Sequence, residues 1–191
     1  YLNSFNMWDV GKDVSTGVCK IHNSIKDDLE EALQCEVDVR FFRFDTEGSA
    51  IETNKFTRLE SYVDIETVKF NAYEADPSII EVINSADPYT VTTSVLRSNC
   101  RVTNQPDWGD IFIAIEGAGL KPSSESLLKF IVSMRRENHF HEEICEAVYK
   151  TLIDCCPGNE VLVTCLYTRR GGIDINPTRA TKMSMIEKYN N

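Results

Sequence analysis

Apolar residues recur at helical spacing near the start of the chain. Between residues 13 and 33 they stand three or four positions apart, with charged residues on the other faces. The apolar positions are Val18, Ile21, Ile25, Leu29 and Leu33. This spacing predicts an amphipathic helix that buries one side. The opening residues YLNSFN have the pattern of a strand that ends before this helix, and we expect the chain to continue a longer protein there.

Residues 37–44, VDVRFFRF, are rich in β-branched and aromatic side chains and run into a turn composition at 45–48. This pattern predicts a strand that enters a hairpin, with a return strand near residues 50–58. Residues 61–73 alternate only weakly, and the stretch from Asp76 to Asp87 carries Pro77 and polar residues and is followed by Pro88. We interpret this region as an excursion between two halves of the chain.

The second half of the chain has stronger patterns. Isoleucines at 111, 113 and 115 share one face of a predicted strand. Ser123 can cap a helix, and a second helix follows until Cys156 and Pro157 stop it. VLVTCLYT at residues 161–168 predicts the last strand, and the glycine-rich RRGGIDINP after it predicts a loop.

The order is therefore helix, strand, strand, excursion, strand, two helices and strand. Most connections are too short for the crossovers that parallel strands need. The sequence predicts an α+β fold on an antiparallel sheet.

Charge and composition narrow the range of functions. The 191 residues are 42% hydrophobic and carry 20 Lys and Arg against 30 Asp and Glu, a formal charge of -10. This charge repels polyanions, so neither nucleic acid nor an anionic membrane surface is the expected partner. Without a spanning apolar run or a signal segment, the sequence predicts a cytosolic protein.

Seven cysteines and three histidines are scattered along the chain without a CxxC motif. An odd number of cysteines without regular spacing is a poor disulfide framework, so we expect reduced thiols. A closed structural zinc site lacks its usual ligand set, and we expect no metal.

One cysteine lies in a context that could support catalysis. Cys100 and Asp107 flank a proline-containing loop ahead of a strong strand. A nucleophilic cysteine needs a neighbour that removes its proton, and an aspartate can take and return it. Spacing alone is a weak signal, because a cysteine is more often a buried small apolar residue and an aspartate before Trp-Gly is more often a turn residue.

Two further polar clusters stand later in the chain. RRENHFHEE at residues 135–143 joins the two predicted helices, where its groups either converge on a pocket or form a solvated link. RRGGIDINP at residues 169–177 has the composition of an anion-binding or interface loop and also of many surface loops.

The segments YLNSFN, LRSNCRVTNQPDWG, FHEE and YTRRGGIDINP occur in this order along nearly the whole chain. Together they resemble the NADPH-dependent 7-cyano-7-deazaguanine reductases of queuosine biosynthesis, in their long, two-module form. The resemblance implies the tunnelling fold, an antiparallel sheet with paired helices on one face. It also implies that residues 1–75 are the remainder of a first module and that residues 76–191 are the second module. The expected assembly is a homo-oligomer, namely a dimer.

The resemblance also implies the reaction and the roles of individual residues. A nitrile becomes a primary amine at the expense of two NADPH, through a thioimide on Cys100. Asp107 shuttles protons, and His141 donates a proton or positions the cofactor. Glu142 and Phe140 bind the small deazapurine nitrile. The cofactor phosphate is expected to contact Arg169, Arg170 and Gly171. For the two arginines, the alternative is a contact at a module interface.

One departure from the resemblance leaves other functions open. The reductases have an upstream segment with lysines that are associated with NADPH, and it lies before Tyr1. Two alternatives are therefore an amidine-forming relative, in which ammonia attacks the same thioimide, and a non-catalytic binding module of a larger complex.

Overall fold

A computed structural model describes residues 1–42 and 51–190 of the chain. The chain separates into two compact units, Tyr1–Gly48 and Ser49–Asn191. Residues 51–75 thus belong to the second unit, whereas the sequence placed them in the remainder of a first module. The assignment of residues 1–75 and 76–191 to two modules stays a prediction.

The first unit contains one long helix, α1 (Val14–Leu33), as predicted. It begins where the Asp13 carboxylate accepts a hydrogen bond from the Thr16 backbone N–H at 2.9 Å. It ends where Gln34 adopts a left-handed backbone, with φ 55°. The opening residues were predicted as the end of a strand, but Leu2–Met7 form a 3₁₀ helix.

The predicted strand at residues 37–44 is not formed in its described part, residues 37–42. Phe41 and Phe42 are exposed there. A strand needs a neighbouring strand for its backbone groups, and residues 37–42 have none in the described ranges. The Val37 N–H and the Val39 carbonyl instead contact side chains of Glu30 and His22. The remainder of this strand and its turn lie outside the described residues. Of the predicted return strand, only Thr57–Arg58 is a strand, since Thr53–Lys55 form a 3₁₀ turn.

The second unit is built on a five-stranded sheet in the order β1-β3-β4-β6-β7. All its pairs are antiparallel except a two-residue parallel contact between β1 and β3. A separate antiparallel pair joins β2 to β5. The strands are β1 (Thr57–Arg58), β2 (Val82–Ser85), β3 (Tyr89–Asn99), β4 (Pro106–Glu116), β5 (Gly119–Pro122), β6 (Glu160–Tyr167) and β7 (Thr178–Ala180).

Helices α2 (Ser124–Ser133) and α3 (His141–Cys155) pack together on one face of this sheet. The alternation of β4 decides which side chains meet them, because Ile111, Ile113 and Ile115 all point to this face. Phe112 and Ala114 point to the other face, where α4 (Met183–Tyr189) covers them. The predicted α+β class, antiparallel sheet and helix pair on one face are confirmed.

The strand β3 was not predicted, although it has 11 residues. Its alternation is interrupted by a bulge between Thr93 and Leu96, which shifts the register with β4. A bulge moves the following side chains to the opposite face, and a period of two is then lost from the sequence. The predicted excursion at 76–88 likewise contains β2, which pairs with β5 across the chain.

None of the helices in the described ranges combines the length and the apolar character that a membrane span requires.

Candidate active site

Cys100 lies in a tight turn that joins β3 to β4. Its backbone N–H donates to the Gln105 carbonyl, and its carbonyl accepts from the Asn104 N–H, both at 2.8 Å. Asn104 takes the left-handed conformation that closes the turn, with φ 55°. The thiol is free and partly exposed, so it is accessible as a nucleophile.

The turn also makes the thiol acidic. The Thr103 hydroxyl, followed by the backbone N–H groups of Thr103 and Val102, donates hydrogen bonds that lower the pKa of Cys100 to about 7. The nearby Asp107 carboxylate opposes this effect. Since the thiolate is the nucleophilic form of cysteine, a large fraction of Cys100 is reactive near neutral pH.

This acidity predicts that alkylation of Cys100 by iodoacetamide rises with pH through a midpoint of about 7. An ordinary cysteine has its midpoint near 8.5. Thr103→Val removes the leading hydrogen bond and should move the midpoint upward, whereas Thr103→Ser should keep it. The rate is followed by mass spectrometry of the peptide that contains Cys100. Equal midpoints in all three proteins would contradict the role of the hydroxyl.

Asp107 lies on β4, opposite Ser98 of β3, and only 2% of its side chain is exposed. It continues the β4 face that carries the isoleucines, so its carboxylate points toward the helix side of the sheet. The interpretation of Asp107 as a turn residue is therefore wrong. One carboxylate oxygen lies 3.3 Å from His141 Nε2, and the other contacts Arg170 Nη2.

His141 is the first residue of α3 and is 8% exposed. The segment before it pairs with the end of β3, since Asn99 N–H donates to the Glu137 carbonyl and His139 N–H donates to the Asn99 carbonyl. This pairing brings the helix start beside Cys100. The Arg101–Glu143 ion pair at 2.9 Å adds a second tie between the turn and α3.

The imidazole of His141 stacks on the ring of Tyr167, with centroids 3.8 Å apart and planes 7° from parallel. Because a carboxylate only accepts hydrogen bonds, the proximity of Nε2 to Asp107 favours a proton on Nε2. Nδ1 is buried and has no hydrogen-bond partner among the described residues. The site therefore contains one buried ring nitrogen that no described group satisfies.

A cavity of about 200 Å³ joins these groups. Six predicted site residues line it together with Ile175: Cys100, Asp107, Phe140, His141, Glu142 and Arg170. Phe140 and Glu142 are exposed at its rim. A larger hollow of about 620 Å³ lies at the start of α2, and its described lining includes neither cysteine nor histidine.

The other two predicted site residues do not line this cavity. Arg169 forms a two-pronged ion pair with Asp174, with nitrogen–oxygen distances of 2.7 to 3.2 Å. Gly171 occupies a left-handed turn position, with φ 57°. The cofactor-binding role of these two residues stays a prediction.

The cavity that Cys100 lines is too small for a whole NADPH molecule. Pockets for drug-sized ligands usually measure 300 Å³ or more, and a dinucleotide is larger than such ligands. Both arginines that were predicted to bind phosphate are already paired with carboxylates, Arg169 with Asp174 and Arg170 with Asp107. Neither arginine is therefore an unpaired cation in this structure.

Three residues that contribute to the site were not predicted: Thr103, Tyr167 and Ile175. Tyr167 had a usable signal, because it continues the alternation of Val161, Val163 and Cys165 on the buried face of β6. Burial raises the pKa of Tyr167, so its hydroxyl stays protonated. No cluster of His, Cys, Asp or Glu in the described ranges could hold a metal ion.

Known proteins are similar to most of this chain. Residues 106–185 match the family model described as QueF-like protein. The chain is 34% identical over 184 residues to the NADPH-dependent 7-cyano-7-deazaguanine reductase of Buchnera aphidicola subsp. Schizaphis graminum, covering 94% of this chain and 66% of that protein. It is 36% identical over 185 residues to the protein of the same name from Cupriavidus metallidurans, covering 94% and 62%.

The chain thus spans under two thirds of the length of these curated relatives. A solved structure, the archaeosine synthase QueF-Like in the apo form, aligns with a TM-score of 0.45 and 18% identity, over 50% of this chain and 94% of that one. The family match and the relatives at 34% and 36% identity agree with each other. Residues 106–185 are thus similar to the QueF-like family, and most of the chain is similar to these reductases.

Proposed function

We propose that the chain carries the nucleophile and the proton-transfer groups of an NADPH-dependent nitrile reductase. The substrate is 7-cyano-7-deazaguanine, and the product is the 7-aminomethyl compound of queuosine biosynthesis. One observation carries the proposal: an acidic thiol, a buried carboxylate and a buried imidazole line the same small cavity. The names of the relatives, NADPH-dependent 7-cyano-7-deazaguanine reductases, support the choice of substrate and cofactor.

The covalent step needs only residues of this chain. The sulfur of Cys100 bonds to the nitrile carbon, one carbon–nitrogen π bond breaks, and the nitrogen takes a proton. The product is a thioimide, and nothing leaves. Asp107 accepts the thiol proton and returns it to the nitrogen, with its partner His141 at 3.3 Å. Covalent capture divides a difficult reduction into easier steps.

The rim of the cavity suits a fused two-ring base. Glu142 offers a carboxylate that can accept two N–H groups from the pyrimidine portion of the deazaguanine. Phe140 offers an aromatic face, and the lining is mainly apolar. About 200 Å³ is enough for the base but not for a dinucleotide. NADPH supplies the hydrides when it is bound, and other parts of the protein hold its phosphates.

The full-length protein tests this function. Purified protein should oxidise NADPH only when the nitrile is supplied, with two NADPH consumed for each nitrile. Intact-mass spectra without NADPH should show one adduct with the mass of the nitrile. Absence of both signals would refute the proposal. An adduct that ammonium converts to an amidine, without NADPH oxidation, would identify the amidine-forming alternative.

The cellular setting belongs to the same proposal. We expect a homo-oligomer in the cytosol that acts on the free base and not on nucleic acid. The formal charge of -10 supports the last point, because it repels polyanions.

A further inference from the structure

Arg170 extends from the loop after β6 to the carboxylate of Asp107. Its Nη2 contacts one carboxylate oxygen and donates to the Pro106 carbonyl at 3.2 Å. The guanidinium is 38% exposed, whereas the carboxylate is 2% exposed. Arg170 is therefore a cation at the mouth of the cavity that faces inward, toward the proton-transfer group.

The glycines beside Arg170 hold its backbone in place. The N–H and carbonyl groups of Arg170 and Ile173 exchange two hydrogen bonds, both of 3.0 Å. Gly171 and Gly172 between them have φ values of 57° and 83°. Two consecutive left-handed residues make a tight hairpin turn that glycine adopts without strain. The Gly-Gly pair thus fixes where the arginine leaves the chain.

Several titratable groups face Asp107 from the elements around it. His141 approaches from α3 and Arg170 from the loop, both as ion-pair partners. Cys100 and Tyr167 interact with its charge from the turn and from β6, and Glu142 lies at the rim. Among these, only arginine is a permanent cation. A buried carboxylate without such a partner is strongly disfavoured.

Given the proposed function, on which this inference rests, we propose that Arg170 is a positioning residue for Asp107 and not a ligand of the cofactor phosphate. Its positive charge pairs with the buried carboxylate, and its hydrogen bond to the Pro106 carbonyl fixes the direction of approach. An ionised Asp107 can accept the thiol proton of Cys100. Loss of the cation should therefore slow adduct formation, and most strongly at low pH.

The test measures the rate of adduct formation with 7-cyano-7-deazaguanine against pH, without NADPH, in the full-length protein. In Arg170→Gln the acid limb of the pH–rate profile should shift to higher pH by about one unit, which is the smaller end of the usual effect of an adjacent charge. At a fixed pH on that limb the rate falls about tenfold. Arg170→Lys keeps the charge and should keep the acid limb near its original position.

Arg179→Gln is the matched control. Arg179 is 36% exposed and also pairs with a carboxylate, Glu146, but it does not line the cavity. It should leave the profile unchanged. An unchanged profile in Arg170→Gln with a raised KM for NADPH would overturn the inference and favour the phosphate role. An equal shift in the Lys and Gln variants would also overturn it, because charge would not be the cause.

The proposed function and this inference fail differently. If the unaltered protein forms no adduct, the proposed function fails. If it forms the adduct and Arg170→Gln keeps its pH profile, only the role of Arg170 fails. Thermal unfolding of each variant confirms that the compared proteins are folded.

Discussion

Replacing Cys100 by alanine is expected to abolish the covalent adduct and, with it, nitrile-dependent oxidation of NADPH. Alanine has no nucleophilic atom, and the described residues place no second thiol along the cavity. Intact-mass spectrometry after incubation with the nitrile measures the adduct, and the decrease in NADPH absorbance measures turnover.

Cys35→Ala is the matched control for this experiment. Cys35 is free and exposed, so the substitution removes a thiol without touching the site. It should leave the adduct intact. An adduct of full intensity in Cys100→Ala would contradict the assignment of the nucleophile, whereas the absence of an adduct in the unaltered protein would favour the non-catalytic binding module.

The second large effect is expected for Asp107→Asn. The amide keeps the shape of the side chain but cannot accept the thiol proton and return it to the nitrogen. Loss of a general acid–base group typically slows a reaction by about 10²- to 10⁴-fold. The rate constant for adduct formation, measured by rapid quenching and mass spectrometry, should fall within this range.

Asp110→Asn provides the control on the same strand, because Asp110 lies three residues along β4, is partly exposed and does not line the cavity. Its adduct should form at the normal rate. A rate within about threefold of normal in Asp107→Asn would fall outside the acid–base range and show that another group, such as His141, moves the proton. The melting temperature should be compared as well, since the variant leaves Arg170 without its buried anion.

The active site is a continuation of the hydrophobic core. Alternation along β4 turns Ile111 and Asp107 to the same face, and alternation along β6 does the same for Cys165 and Tyr167. Along each of these strand faces, the apolar core residues are followed by site residues near the first turn of α3. A rigid sheet and a helix start thereby hold the carboxylate and the imidazole, while the thiol occupies the turn.

Local sequence patterns were sufficient to predict the helices and strands whose hydrophobic periodicity is unbroken. The helices α1, α2 and α3 and the strand around Ile113 were predicted because their spacing repeats without interruption. Strand β3 was missed because its bulge breaks the period between Thr93 and Leu96. The strand expected at residues 37–44 has strand-like composition, but pairing depends on a partner that composition does not specify.

The sequence by itself determined the identity of the candidate nucleophile, its neighbours and the family they resemble. Cys100, Asp107, His141 and Glu142 could all be named from motifs, since residue types in order are a property of the chain. Which of these groups meet was decided only by the tertiary structure. The hairpin register sets Ser98 opposite Asp107, and the pairing of Asn99 with residues 137–139 brings His141 beside them.

The tertiary structure also decided the partners of the two arginines. Arg169 and Arg170 are neighbours in the sequence with the same chemistry, yet one pairs with Asp174 at the surface and the other with buried Asp107. The physical reason is that the strength of an ion pair depends on distance and burial. The fold of the glycine turn sets both quantities, and the order of residues does not reveal them.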